Sequence, residues 1–158
     1  MFSTDFVVGL TIFLMAIVVF ESFYSNIDSG INNYKVRNDL QTKANSVADI
    51  LATSPGYPNN WSNVTVKVIG LYDSGFLSLE KFSQLMKVEY YAAKSEMGVG
   101  GYEIYLEVTN STGSVLGNYK YGHPVSENAS QVFFVKRLGL ANFNGNVTKV
   151  ILNVGVWS

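Results

Sequence analysis

The chain contains no cysteine, so it holds no disulfide, thiolate zinc site, iron–sulfur cluster or cysteine nucleophile of its own. A single histidine, His123, leaves little scope for a histidine-rich metal site or a Ser-His-Asp arrangement. Charged residues are scarce, at 15 %, and the net charge of −1 offers no basic face to neutralise phosphates, so no nucleic-acid partner is expected. The three prolines all lie at or beyond Pro55, and nothing before that point removes a helical hydrogen bond. Cations are missing from the start as well. Residues 1–34 carry Asp5, Glu21 and Asp28 but no lysine or arginine, while all 11 lysines and arginines follow from Lys35 onward.

What fills the start is hydrophobic. In "MFSTDFVVGLTIFLMAIVVFESFY" the stretch from Phe6 to Phe20 is apolar or nearly so. It lacks the basic n-region and the small-residue cleavage site of a secretory signal peptide. Phe6–Tyr24 gives 19 positions, interrupted by Glu21, against the roughly 20 that a membrane-spanning helix needs. With no flanking cation, the positive-inside rule cannot orient it. Helical spacing continues beyond it. Phe20, Tyr24, Ile27, Ile31 and Tyr34 form one stripe, and Val36, Leu40, Ala44, Val47 and Leu51 resume on a shifted face. The pattern predicts one helix over residues 2–52, about 75 Å long at 1.5 Å per residue. "SPGYP" (54–58) ends it. Its first half, residues 1–30, is apolar all round and needs an apolar environment, either a filament core or a membrane. Its second half, residues 31–53, is amphipathic and is expected to pack on a globular head, residues 54–158.

The head reads as α+β, an antiparallel sheet of four or five strands with one additional helix. "NVTVKVIG" (63–70) and "GYEIYLEVT" (101–109) alternate as strands do, the second with Ile104, Leu106 and Val108 inward. "NSTG" (110–113) predicts a turn returning through 114–122. Residues 131–140 and 146–157 predict two more strands around "ANFNG" (141–145). Residues 78–98 predict an amphipathic helix with Ser78 as N-cap and Gly98 past its end. One sheet face is expected to cover residues 31–51 of the long helix.

Five Asn-x-Ser/Thr triplets begin at Asn60, Asn63, Asn110, Asn128 and Asn146, against about two expected by chance from composition. All five lie in the head, where Asn, Ser and Thr are also ordinary turn residues. They are candidate N-glycosylation sites and would place the head outside a cell.

"FSTDFVVGLTIFLMAIVVF" resembles the N-terminal segment of archaeal type IV pilins and pilin-like proteins. There a prepilin peptidase removes a short basic leader, and the mature chain starts with a Q-x-S-x-E-F-like pattern. Ser3, Asp5 and Phe6 match its serine, acid and aromatic, while Met1 stands where glutamine is usual. "LATSPGYPNNW" (51–61), "IGLYDSG" and "LSLEKFSQL" resemble the helix-to-head junction of some of these proteins. The resemblance implies a homo-oligomeric, helical extracellular filament, built by the pilus assembly machinery from subunits held in the membrane beforehand. The expected assembly residues are Met1, Asp5, Phe6, Leu10, Phe13, Leu14, Ile17 and Phe20. Asp5 would be the polar group in the core, paired with a free N-terminal amine, because an unpaired carboxylate in an apolar medium is costly. Many such subunits have all-β heads. The helix expected here departs from that and leaves both major and minor subunit open.

The remaining polar features suggest no chemistry. His123 sits in a loop beside Pro124, Asp73 and Glu80 specify no metal cage, and "GVGG" (98–101) lacks the lysine of a phosphate loop and follows a helix. Glu21 reads as the exit of the tail from the apolar layer, in preference to one half of an intersubunit pair. Tyr90, Tyr91, Tyr102, Tyr105, Tyr119 and Tyr121 read mainly as packing. No catalytic residue, cofactor or metal is expected. The expected function is therefore a structural pilus subunit for adhesion or surface interaction. The alternatives are a single-pass anchored extracytoplasmic domain that does not polymerise and, less favoured, an anchored carbohydrate-active enzyme.

Overall fold

The computed structural model describes residues 3–158, apart from the side chains of residues 28 and 29. Helix α1 runs without a break over Thr4–Thr53. Ser3 starts it. Its carbonyl accepts from the Phe6 amide at 3.1 Å and its hydroxyl lies 3.4 Å from the same amide. Asp5 falls in the first turn, where a carboxylate complements the positive end of the helix dipole. At the other end Gly56 takes φ +78° and donates to the Ser54 hydroxyl at 3.1 Å, turning the chain out of the helix.

The chain divides into two compact units, residues 1–38 and residues 39–158. The first is the apolar part of α1 with its continuation to residue 38.

The second unit holds the last turns of α1 and everything after them. Strands β1 (Tyr72–Asp73) and β2 (Phe76–Leu77) form a small ribbon. Two short helices follow, α2 (Leu79–Leu85) and α3 (Tyr90–Glu96). Strands β3 (Glu103–Asn110), β4 (Val115–Gly122), β5 (Val132–Phe143) and β6 (Asn146–Trp157) make an antiparallel sheet in the order β4-β3-β6-β5. Alternation decides which face is buried. Ile104, Leu106 and Val108 of β3 and Val150, Leu152, Val154 and Val156 of β6 lie in the core, with Leu40, Ala44, Val47, Ala48 and Leu51 of α1 and Phe82 and Leu85 of α2. This is the α+β class that the sequence predicts.

Three expectations need correction. The single helix over 78–98 is two helices. Ser78 caps α2 by accepting from the Lys81 amide at 3.2 Å, as predicted. The Glu89 carboxylate then accepts from the Tyr91 and Ala92 amides at 3.0 and 2.8 Å, and this cap begins α3. The strand over 63–70 is not formed. Residues 63–65 are a turn in which Ser62 accepts from Thr65 and Val66, and Val68 meets Tyr57 only as an isolated bridge. Burial on α1 begins at Leu40, whereas Ile31 and Tyr34 are exposed.

Candidate functional site

The tail exposes apolar side chains along its length. Phe6, Leu10, Phe13, Leu14, Ile17 and Phe20 are between 39 % and 64 % exposed. The opposite faces are no more polar, since Val8, Ile12, Met15, Val18 and Val19 are exposed too. An 18-residue window of α1 has a mean hydropathy of 2.4 and no buried residue, so the helix is long and apolar enough to cross a membrane. Met1 lies outside the described residues.

Within this surface lies a pattern that the sequence reading followed only in part. From Phe6 to Tyr34 apolar residues recur in steps of 4 and 3 without interruption. Phe6, Phe13, Phe20, Ile27 and Tyr34 repeat every seven residues, with Leu10, Ile17, Tyr24 and Ile31 between them. All nine are exposed. A strict seven-residue repeat is the signature of a helix that packs along another helix.

The sequons separate by local structure. Asn60 and Asn63 are exposed in turns, Asn128 is exposed in a loop turn, and Asn146 is exposed at the start of β6. Asn110 is half-buried, and its side-chain carbonyl accepts from the Thr112 amide at 3.0 Å, the Thr112 hydroxyl at 2.7 Å and the Ser114 amide at 2.9 Å. It therefore holds the β3–β4 turn.

The head also carries a polar cluster that the sequence reading did not assemble. Glu103 at the start of β3 accepts from Lys94 of α3 at 2.7 Å and from the Tyr90 hydroxyl at 2.5 Å. His123 Nδ1 lies 3.1 Å from the same carboxylate, and its ring stacks on Tyr90 with centroids 4.2 Å apart. The Tyr90 oxygen accepts from the Ile104 amide at 3.1 Å. Lys94 first, then Tyr90, holds the Glu103 carboxyl below its ordinary range. Desolvation first, then the Glu103 acceptor, pushes the Tyr90 phenol well above its ordinary value. A carboxylate bonded three ways, by Lys94, Tyr90 and His123, fastens α3 to the start of β3 and the end of β4. A four-residue Tyr90–Lys94 spacing on one helical face was the available sequence signal.

Of the other tyrosines read as packing, Tyr91 is exposed, against that expectation. Tyr121 is buried and donates to the Val88 carbonyl at 3.2 Å, and Tyr119 meets Phe82 edge-on at 5.9 Å. "GVGG" is a turn, with Gly98 and Gly100 at φ +67° and Val99 buried between them. Among the described residues no group of three or more His, Cys, Asp or Glu is placed to hold a metal ion. No protein family, curated protein or solved structure matches this chain.

Proposed function

We propose that this chain is the structural subunit of a type IV pilus-like extracellular filament, in which apolar tails bundle into a core and heads form the outer wall. One observation carries the reading. The tail exposes large apolar side chains on every face, while residues 39–158 have a complete core of their own. The head therefore has its core without the tail, and the tail's apolar surface is left for other partners to bury.

Burying it is worth a great deal. On the order of 1,000 Å² of apolar surface at about 25 cal/mol per Å² gives roughly 25 kcal/mol gross, before the entropy of association. Identical subunits joined by a contact that does not close produce a helical polymer. The Ser3, Asp5, Phe6 pattern supports the same reading. Ser3 caps the helix, and Asp5 at its first turn is the carboxylate that an apolar core would require to be paired, with a subunit N-terminal amine as the fitting partner. The exposed sequons agree with a head displayed outside the cell.

Electron microscopy of material purified from the native cell surface tests this. Helical filaments that contain the chain as their main component are expected. Discrete detergent-bound monomers would overturn the filament and leave a membrane-anchored extracytoplasmic domain.

A further inference from the structure

The head holds a cavity of about 360 Å³ between the β1–β2 ribbon, the end of α1 and the β5–β6 hairpin. Ala52, Leu77, Val150 and Leu152 give it apolar walls, and Tyr72 and Phe76 of the ribbon add two aromatic rings. That volume and that lining are those of a small-molecule site.

Gly139 keeps the cavity open. It pairs with the buried Val150, and Val135 and Ala141 on the same face of β5 are buried too. A side chain at position 139 would therefore face the core, and glycine leaves its place empty. The backbone does not demand this. Gly139 takes no positive φ, and an added Cβ would meet only Leu77 at 3.9 Å and Val150 at 4.0 Å, both ordinary contacts. Gly155 on β6 is different, because the Phe134 ring lies 2.6 Å from where its Cβ would stand. Glycine inside a strand forgoes packing and β-propensity, and it marks places where a backbone or a ligand has to come close. Nothing of this chain comes close at Gly139, which leaves a ligand.

Charge indicates its kind. Arg137 and Lys149 line the cavity, and no carboxylate does among the described residues. Arg137 is already compensated, since its guanidinium donates to Asp49 at 2.7 Å and to Asn45 at 3.2 Å. Lys149 forms no ion pair among the described residues. One uncompensated cation beside an apolar pocket suits one negative charge on an apolar body. The two ribbon aromatics favour a flat ring over a hydrocarbon chain, because ring–ring contacts add to the burial of area.

We infer that this cavity binds a small aromatic monocarboxylate, with its ring system against Gly139 and the ribbon and its carboxylate paired to Lys149. The site lies wholly within residues 39–158, so it does not depend on what buries the tail.

The test uses para-benzoylbenzoate, a two-ring monocarboxylate that inserts into neighbouring C–H bonds under ultraviolet light. The full-length chain is held in lipid nanodiscs, since detergent would compete for an apolar pocket, and adducts are located by peptide mass spectrometry. Adducts are expected within residues 72–77 and 138–140. Excess naphthoate should suppress them, and its uncharged methyl ester should need about tenfold more. Lys149→Glu should lower labelling by about tenfold, as expected for reversal of the paired charge. Gly139→Val should abolish it by filling the cavity, with a melting temperature equal to or above that of the wild-type chain, because valine suits a strand. Adducts confined to the tail overturn the site, since they report the bilayer alone. Equal competition by acid and ester, or full labelling of Lys149→Glu, overturns the pairing with Lys149. A Gly139→Val chain that labels fully, or that melts lower, overturns the role given to the glycine.

Discussion

Lys94 and Glu103 form an ion pair at 2.7 Å that joins α3 to β3, with the lysine side chain only 9 % exposed. The lysine is the less replaceable of the two, because its ammonium is nearly shut off from water. Glu103→Ala removes its acceptor and leaves a buried charge, with an expected loss of about 3 kcal/mol. Lys94→Met keeps the apolar stem and leaves Glu103 bonded to Tyr90, with an expected loss of about 1–2 kcal/mol. Urea unfolding of the detergent-solubilised chain measures both. A Glu103→Ala loss no larger than that of Lys94→Met would show that the stranded lysine charge carries no extra cost.

The same cluster fixes the pH dependence. The folded-state pKa of Glu103 is depressed from its ordinary 4.5, chiefly by Lys94 and then by Tyr90. Its contribution is present above pH 4.5 and is lost as pH falls through the folded value. Desolvation pushes Tyr121 and Tyr105 up to about 12 from an ordinary 10. Their contribution is complete below pH 10 and is lost as pH rises from 10 towards about 12. Thermal melts across pH should therefore fall off at both ends. Glu103→Gln should flatten the acid limb and Tyr121→Phe should reduce the alkaline one. An unchanged acid limb in Glu103→Gln would remove this assignment.

What the sequence reveals of this fold follows from how local each determinant is. β3 and β6 are legible because every second residue is apolar and that face is buried. The β5–β6 turn was open to a sharper reading. Asn144-Gly145 is the two-residue hairpin dipeptide, and both residues take positive φ, so the strands run up to Phe143 and from Asn146. The apolar stripe at 79–97 keeps its three- and four-residue spacing in the sequence across two helices, and the Glu89 cap that begins the second is a polar signal that spacing does not register. The valines at 64, 66 and 68 suggest a strand, yet the Ser62 and Thr65 side chains bond each other at 3.1 Å and hold a turn instead. The Glu103 cluster is illegible for another reason. Its members lie on α3, on β3 and after β4, and only the sheet register brings them together.

Trp61 is the anchor of the segment after α1. It is buried, and its indole N–H donates to the Gly70 carbonyl at 2.9 Å. A Cβ on Gly70 would collide with the Ser54 carbonyl and the Gly56 amide, so the chain can approach this closely only as glycine. Trp61→Phe is expected to lose about 1–3 kcal/mol, by leaving a buried carbonyl without its donor. Gly70→Ala should lose at least as much, because backbone has to move. Paired melting curves check this order, and a neutral Gly70→Ala would sink the close-approach argument.

The five sequons should not be modified alike. Asn110 has its side-chain carbonyl tied to Thr112 and Ser114, and its own sequon threonine is one of those donors. To present its amide to a transferase it would have to give up the turn between β3 and β4. Asn60, Asn63, Asn128 and Asn146 are exposed and carry no such constraint. Glycopeptide mass spectrometry of the native protein should find occupancy among these four and little or none at Asn110. Asn110 occupied as fully as the others would show that the turn opens before modification. Asn110→Gln should destabilise the head by about 1 kcal/mol through loss of the turn, whatever the glycan state.

Removal of the tail separates the two halves of the proposal. Buried positions on α1 start at Leu40, and residues 39–158 contain the whole sheet and its core. A chain that begins at Val36 keeps every buried helical residue and discards the exposed apolar surface. It should be a soluble monomer without detergent, with a cooperative unfolding transition and the circular dichroism of a mixed α+β protein. The full chain should need detergent or an assembled state, since about 25 kcal/mol of gross apolar driving force acts on its tail. Sedimentation of the two forms side by side measures the difference. A truncated chain that still polymerises would place the assembly contacts in the head, and one that fails to fold would show that residues before Val36 belong to its core.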